Sequence, residues 1–400
     1  MNRILTINAG SSTVKFGVFE AACDGGVHPL ARGVLDLHAS PLALHFEMDG
    51  QRVTVPLDAA GTDDSADDRA DDHAEAIGAA LSWLEARFDG CAFAAAAHRI
   101  VHGGTEFNAP TVLDDTIIER LDRLSPLAPL HQPIVLQLVR AMRRARPDQP
   151  QIACFDTAFH RTHAPLVTRM AIPRWLHDEG VRRYGFHGLS YQSVADQLRR
   201  DEPELLAKKI VVAHLGSGAS LCAMEAGISR DTSMGFSALD GIPMATRPGE
   251  LDAGVLLYLQ RQHGMTAEQL QHWLYHECGL KGVSGISADL RVLLASPAPE
   301  AAEAIALFCF RISRSICALA ATLGGLDGIV FTAGIGEHAP SIRAAVCERL
   351  SWLGAKIDPH ANARNDRVLD AGDGIALRMI RTDEEQVIAE SAAALLFRGA

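Results

Sequence analysis

Three short loops have the make-up that phosphate binding needs. Apolar strands at Ile4 to Ala9 and Ile210 to Leu215 end in Gly10-Ser11-Ser12 and Gly216-Ser217-Gly218, and Gly328 to Thr332 ends in Ala333-Gly334-Ile335-Gly336-Glu337 ahead of a helix. Glycine lets backbone N–H groups approach phosphate oxygens, serine adds a hydroxyl donor, and a helix N-terminus adds partial positive charge. The first two loops are copies, because Ile4 to Ser12 matches Ile210 to Gly218 at an offset of 206, and a second strand follows each, at 14 to 20 and 219 to 225. Any one loop alone is an ordinary turn. Two related domains, each presenting one, would clamp a triphosphate.

Other ways of holding a nucleotide are excluded. Lysine occurs only at Lys15, Lys208, Lys209, Lys281 and Lys356, never after glycine, so no Walker-type P-loop is present. GxGxxG, GxSxG and HExxH are missing too. The 37 basic and 49 acidic residues leave a net charge of −12, which argues against a sequence-independent grip on nucleic acid or anionic membrane. The cysteines form no CxxC pair, as in a chain kept in a reducing cytoplasm. No targeting segment is visible, and no stretch reads as the roughly 18 apolar residues of a membrane span.

The elements that must position these loops follow from periodicity. The 400 residues predict two to four domains at roughly 100 to 200 residues each. Alternating strands are expected at 3 to 8, 14 to 20, 32 to 37, 42 to 48 and 51 to 57, the last two joined by Asp49-Gly50, a hairpin signal. Residues 58 to 72, rich in aspartate, read as a solvated loop. Ile77, Leu81, Leu84 and Phe88 recur at helical spacing, followed by a strand over Phe93 to Val101 and a helix over Pro133 to Arg146. Pro147 to Pro150 marks a boundary, and a second strand and helix series starts at Ile152.

Polar clusters punctuate this frame: His98 to Gly104, Phe155 to His160, Tyr184 to Gly188, Asp231 to Phe236 and Met244 to Glu250. With the opening Asn8-Ala9-Gly10-Ser11-Ser12-Thr13-Val14-Lys15 they make the chain resemble the acetokinase family of the actin, Hsp70 and sugar-kinase superfamily, from Ile4 to about Glu390 and in the family's motif order. The resemblance implies an α/β fold of two duplicated actin-like (ribonuclease-H-like) domains with an interdomain active-site cleft. The first would span 1–150 plus 385–400, closed by a C-terminal helix; the second, nucleotide-binding, would span 151–384. It also implies reversible phosphorylation of acetate, with propionate next, by ATP and Mg²⁺, giving the acyl phosphate and ADP. Mn²⁺ is a substitute metal, and the protein is expected to be a cytoplasmic homodimer with no nucleic acid or membrane partner.

The same resemblance assigns roles. Asn8 and Glu384 lie near Mg²⁺, and Ser11, Ser12 and Lys15 near the phosphates; a lysine serves there as a point charge. Arg99 and Arg247 hold the acyl carboxylate and the transferring phosphoryl group, a task suited to a planar guanidinium. Val101, Leu130, His131, Phe186 and Ala238 surround the acyl chain, and His187 stabilises the transition state. His214, Leu215, Gly216, Ser217 and Gly218 take the nucleotide phosphates, while Asp289, Leu290, Arg291, Gly334, Ile335, Gly336 and Glu337 take the adenosine. Asp156 is the catalytic carboxylate. Because an acyl carboxylate is already ionised at pH 7, Asp156 positions a partner rather than removing a proton. An actin- or Hsp70-like nucleotide switch is the rival reading, and the paired arginines with His187 argue against it.

Several positions depart from the family pattern. Ser217 replaces Asn in HLGNG, Gln132 replaces Asn in PLHNP, Leu189 and Tyr191 replace Thr and His in FHGTSH, Ala245 and Pro248 alter GTRSG, and His338 replaces Asn after GIGE. Ala238 stands where acetate-specific members commonly carry Pro. A buried methylene gains about 0.8 kcal/mol, so room beside Ala238 should bring kcat/KM for propionate within about tenfold of that for acetate. Ala238→Pro should lower propionate use more than acetate use. Steady-state kinetics on both acids decides, and an unchanged ratio removes Ala238 from the acyl pocket.

Overall fold

A computed structural model describes residues 2–10, 13–22, 26–36, 42–48, 50–56, 78–88, 93–129 and 131–397. The expected loop at 58 to 72, Ser11, Ser12 and Leu130 lie outside them. The described chain divides into two compact units, Met1–Ala158 with Asp383–Ala400, and Phe159–Thr382.

In the first unit the alternating segments form an antiparallel meander: β1 (Arg3–Ala9), β2 (Thr13–Ala21), β3 (Val27–Asp36), β4 (Ala43–Met48) and β5 (Gln51–Pro56). Met48 pairs with Gln51 across a tight turn in which Gly50 takes φ +72°, a conformation that suits glycine. On its other edge β1 pairs in parallel with the alanine-rich β6 (Ala95–Ile100), and β6 pairs in parallel with β8 (Gln151–Phe155). β1, β6 and β8 are accordingly buried over almost their whole length, as strands covered on both faces must be. The short β7 (Thr111–Val112) completes the order β5-β4-β3-β2-β1-β6-β8-β7. Leu5, Ile7 and Ala9 join a core with Leu81, Leu84, Val135 and Leu136 from the helices at 78–87 and Gln132–Ala145. The intervening residue Asn8 meets the opposite cover, helix Glu384–Phe397, which packs on β1, β2, β3, β6 and β8.

The second unit repeats the plan. Its sheet runs β11 (Ile228–Thr232), β10 (Ala219–Glu225), β9 (Lys209–Leu215), β12 (Gly328–Thr332), β13 (Ala376–Met379). Two antiparallel pairings are followed by two parallel ones, as in β3-β2-β1-β6-β8 of the first unit. Arg3–Ala9 and Lys209–Leu215 correspond residue for residue, so the weak repeat in the sequence marks a duplicated fold.

Two expectations change. The second unit does not begin at residue 151: that residue opens β8, which is hydrogen-bonded into the first sheet, and the first unit continues to Ala158 and resumes at Asp383. A stretch apolar enough for a membrane does occur, since helix Pro299–Leu323 has an 18-residue window of mean hydropathy 1.7. Here it packs on β9, β10 and β11, and its Phe308, Ile312, Ile316 and Leu319 are buried. Its apolarity reflects a central helix pressed onto a sheet, broken by Arg311 and Arg314 on its outer side, which pair with Glu250.

The second unit also buries a complete arginine. Arg343 has 0 % exposure and donates to the Gly336 and Glu337 carbonyls at 2.8 and 3.0 Å, to Asn362 Oδ1 and its carbonyl at 2.8 Å each, and to Asn365 Oδ1 at 2.6 Å. All five acceptors are neutral, and removing the guanidinium strands them. Arg343→Met should lower the unfolding free energy by about 3 kcal/mol or more, read as a lower urea midpoint at unchanged slope. A loss below about 1 kcal/mol would show that these bonds add little.

Candidate active site

Parallel strands present their C-terminal ends side by side, and residues there share one edge of the sheet. In the first unit those ends carry Asn8 on β1, Arg99 on β6 and Asp156 just after β8. Arg99 donates to Asp156 Oδ2 through Nε at 3.0 Å and Nη2 at 2.6 Å, and through Nη1 to Asn8 Oδ1 at 3.2 Å. Asn8 Nδ2 in turn donates to Glu384 Oε2 and Glu385 Oε1, at 2.8 Å each. Those carboxylates open the C-terminal helix, whose start is fixed by Asp383 accepting from Gln386 N and pairing with Arg32. Burial alone would lower the Arg99 pKa, but the charges of Asp156, Glu384 and Glu385 and the Asp156 hydrogen bonds outweigh it and hold it above the usual arginine value.

Lys15 is the cross-strand partner of Asn8 on β2. Val101 is buried just beyond β6, and His131 stands ahead of helix Gln132–Ala145. The departure at Gln132 has a clear use: its amide clamps the His102 backbone, accepting from the N–H at 3.3 Å and donating to the carbonyl at 3.0 Å. His98 and His102 are packed as core residues, both pushed down to about 4 by burial.

In the second unit the loop between β9 and β10 is the focus. Gly218 is bare on one side, and a Cβ there would stand 3.3 Å from His187 Nε2 and 3.7 Å from Arg247 Nη2. Arg247 reaches this point because Ala245 N donates to the Ser217 carbonyl at 3.2 Å, and its Nη1 donates to the Ala238 carbonyl at 3.1 Å. His187 takes φ +58°, a left-handed conformation unusual for a side-chain-bearing residue, at the head of helix Gly188–Asp201. Its ring stacks on His214 at 4.2 Å, and His214 Nδ1 meets Ser190 Oγ at 2.8 Å. Behind it the Phe186 carbonyl accepts from His160 Nε2 at 3.0 Å, while Ser229 Oγ lies 2.8 Å from both His160 Nδ1 and His163 Nε2. Phe186 itself is buried.

The third loop lies beside the second, with Gly216 and Ala333 nearly touching and Thr332 paired to His214. Glu337 folds back so that Oε1 accepts from Ala333 N and Thr382 N at 3.0 and 3.2 Å, and Gly334 opens onto clear space. Leu215 and Leu290 are buried packing residues, Ser217 is exposed, and Ile335 starts within the short helix Ala333–His338. Asp289 caps the helix Leu290–Ala295, and its carboxylate holds the otherwise exposed Arg291 guanidinium.

Among the described residues no group of three or more His, Cys, Asp or Glu is placed to hold a metal unaided. The donor set around Asn8 still suits a hard divalent cation. Three buried carboxylates, Asp156, Glu384 and Glu385, crowd one arginine, and oxygen donors with room for substrate oxygens are what Mg²⁺-like ions take. Sequence reasoning chose Glu384 and passed over its neighbour Glu385; the doubled acid in Thr382-Asp383-Glu384-Glu385 was the available signal.

Two copies of one five-strand plan, with charged residues gathered at their strand ends and loops, define a phosphotransferase of the actin-like fold. The chain belongs to the acetokinase family, whose model matches residues 3–390. It is 45% identical over 406 residues to the acetate kinase of Nitrobacter hamburgensis, spanning 99% of this chain and 96% of that one. Solved structures agree: a propionate kinase from Francisella tularensis has a TM-score of 0.84 at 30% identity, covering 98% and 99% of the two chains, and Porphyromonas gingivalis acetate kinase has 0.81 at 32%, covering 99% and 100%. The chain is thus a kinase that forms an acyl phosphate from a small carboxylate, with ATP/ADP and a divalent metal ion.

Burial makes the histidines of both units acid-sensitive. His98, His102 and His160 are pushed down to about 4 and His163 to about 3, so each is neutral when folded but takes a proton near pH 6.5 when unfolded. The unfolded state binds more protons in that window. Stability should be level above about pH 7 and fall as pH drops from about 6.5 towards 4, a slope that His160→Gln should reduce in urea titrations. A flat profile would mean that these histidines charge in place.

Proposed function

We propose that this enzyme transfers the γ-phosphoryl group of ATP reversibly to acetate, with propionate as a second acceptor, giving the acyl phosphate and ADP. The observation that carries the reading is the convergence of His187 Nε2 and Arg247 Nη2 on the bare Gly218 of a small-residue loop. A donor and a fixed cation aimed at one glycine match the needs of a phosphoryl group, whose transfer is promoted by positioning and charge neutralisation.

In this mechanism the backbone at His214 to Gly218 and the turn at Gly334 to Glu337 receive the nucleotide, and Arg247 and His187 hold the transferring phosphoryl oxygens. Arg99, fixed by Asp156, orients the acetate carboxylate. One carboxylate oxygen forms a bond to the γ-phosphorus as the bond to the β–γ bridging oxygen breaks, and ADP leaves with that electron pair. No proton moves, because acetate is already ionised. Asp156 therefore works by holding Arg99. Glu384 and Glu385, steadied by Asn8, would hold Mg²⁺, with Mn²⁺ as a substitute; the ion's contribution is to offset phosphate charge. Lys15 adds a point charge beside Asn8.

A homodimer is favoured by the apolar face of helix Ala253–His263, where Leu257 and Tyr258 are more than half exposed. A cytoplasmic setting fits the free cysteines at 154, 222, 278, 309, 317 and 347. The net charge of −12 disfavours nucleic acid and membrane partners.

Trapping the product with hydroxylamine should give acetyl hydroxamate only with ATP, acetate and metal together. Arg99→Ala and Arg247→Ala should each lose at least about 10² in kcat/KM with the fold intact, and Arg→Lys should recover only part of it. Unchanged kinetics in either alanine variant would remove that arginine from the site.

A further inference from the structure

The ring of His187 is set from behind by two residues to which the reaction gives no part. Its Nδ1 lies 2.8 Å from Ser220 Oγ, and Ser220 Oγ lies 2.5 Å from the Tyr191 hydroxyl. Ser220 and Tyr191 are both completely buried. All three are held by backbone: Tyr191 N donates to the His187 carbonyl one helical turn back, and Ser220 on β10 pairs with His214, the residue whose ring stacks on His187.

The relative acidity of the two hydroxyls gives this chain of three groups a preferred direction. A serine hydroxyl has one proton to give, and the side-chain partners of Ser220 Oγ are the imidazole nitrogen and the phenol. The phenol is the stronger acid of the two hydroxyls, which favours Tyr191 donating to Ser220 and Ser220 donating to Nδ1. An imidazole that accepts at Nδ1 keeps its own proton on Nε2. Nε2 is the nitrogen beside Gly218.

We propose that Tyr191 and Ser220 are positioning residues that lock His187 in its Nε2–H tautomer, so that a ready donor faces the phosphate loop. The inference rests on the reading of His187 as a contact of the transferring group. The family's FHGTSH motif has histidine where Tyr191 stands. A histidine there would itself titrate near neutral pH; a phenol, with an ordinary pKa of about 10, keeps the relay in one state across that range.

The test combines nitrogen NMR of histidine-labelled enzyme with kinetics. In the wild type, the His187 signals, assigned by their loss in His187→Gln, should show a protonated Nε2 and an acceptor Nδ1. Ser220→Ala and Tyr191→Phe should each give a mixture of tautomers. In Ser220→Ala kcat should fall about tenfold or more, while KM for acetate and ATP stays within about twofold. Tyr191→Phe keeps the ring and its packing, so it carries the test if the serine variant folds poorly. A wild-type His187 protonated on Nδ1, or a tautomer and kcat unchanged in the folded variants, overturns the relay. Full activity in His187→Ala overturns the underlying role of His187 instead, whatever the tautomer signals show.

Discussion

One side-chain amide joins the two ends of this chain. Asn8 closes the first strand, and its Nδ2 is shared between Glu384 and Glu385, more than 370 residues away. Buried carboxylates are costly unless hydrogen-bonded or balanced by charge. Asn8 supplies the bonds, Arg99 supplies charge, and Asp156 fixes Arg99 in turn. The order of strands in the first sheet follows from this requirement. Only with β1, β6 and β8 adjacent and parallel do Asn8, Arg99 and Asp156 come to one edge, and only with the C-terminal helix against them do the glutamates arrive.

Duplication then lets one scaffold carry two chemistries. At the offset of 206 the counterpart of Asn8 is His214, so the position that organises carboxylates in one unit supports the ring of His187 in the other. The turn that follows is one residue tighter in the second copy, where Leu215 pairs with Ala219 while Ala9 pairs with Val14. Strands, pairing senses and small-residue turns are shared. Polar side chains at the strand ends are what differ, and they separate an acidic cluster around Asn8 from one of histidine and arginine around Gly218.

Much of this was legible in the sequence because it rests on local rules. Alternation gave β1, β2, β4, β5 and the second half of β3, which starts five residues earlier than expected, at Val27; the Asp49-Gly50 turn gave the hairpin, and the Gly/Ser ends of Ile4 to Ala9 and Ile210 to Leu215 gave the repeat. A C-terminal helix closing the first unit was expected, and it lies at Glu384–Phe397. What escaped depends on distant partners. Pro147 to Pro150 looks like a linker, yet the next strand completes the sheet begun at β1. Pro299–Leu323 is too apolar to be told from a membrane helix without the sheet beneath it. Gln132, Tyr191 and Ser220 gain their meaning from contacts many residues away, which neither spacing nor composition encodes.

The return of the C-terminal helix to the first unit has a consequence for synthesis. On the ribosome Met1–Ala158 emerges first, but its last helix follows only after Phe159–Thr382 has been made. At about 5–20 residues per second that interval is on the order of ten to fifty seconds. Throughout it, the face of β1, β2, β6 and β8 that the C-terminal helix will cover stays open, and by its end the second unit has gained β13, the last strand of its own sheet. The second sheet can therefore be complete before the first is covered, and the first unit is the one that must wait with an open face.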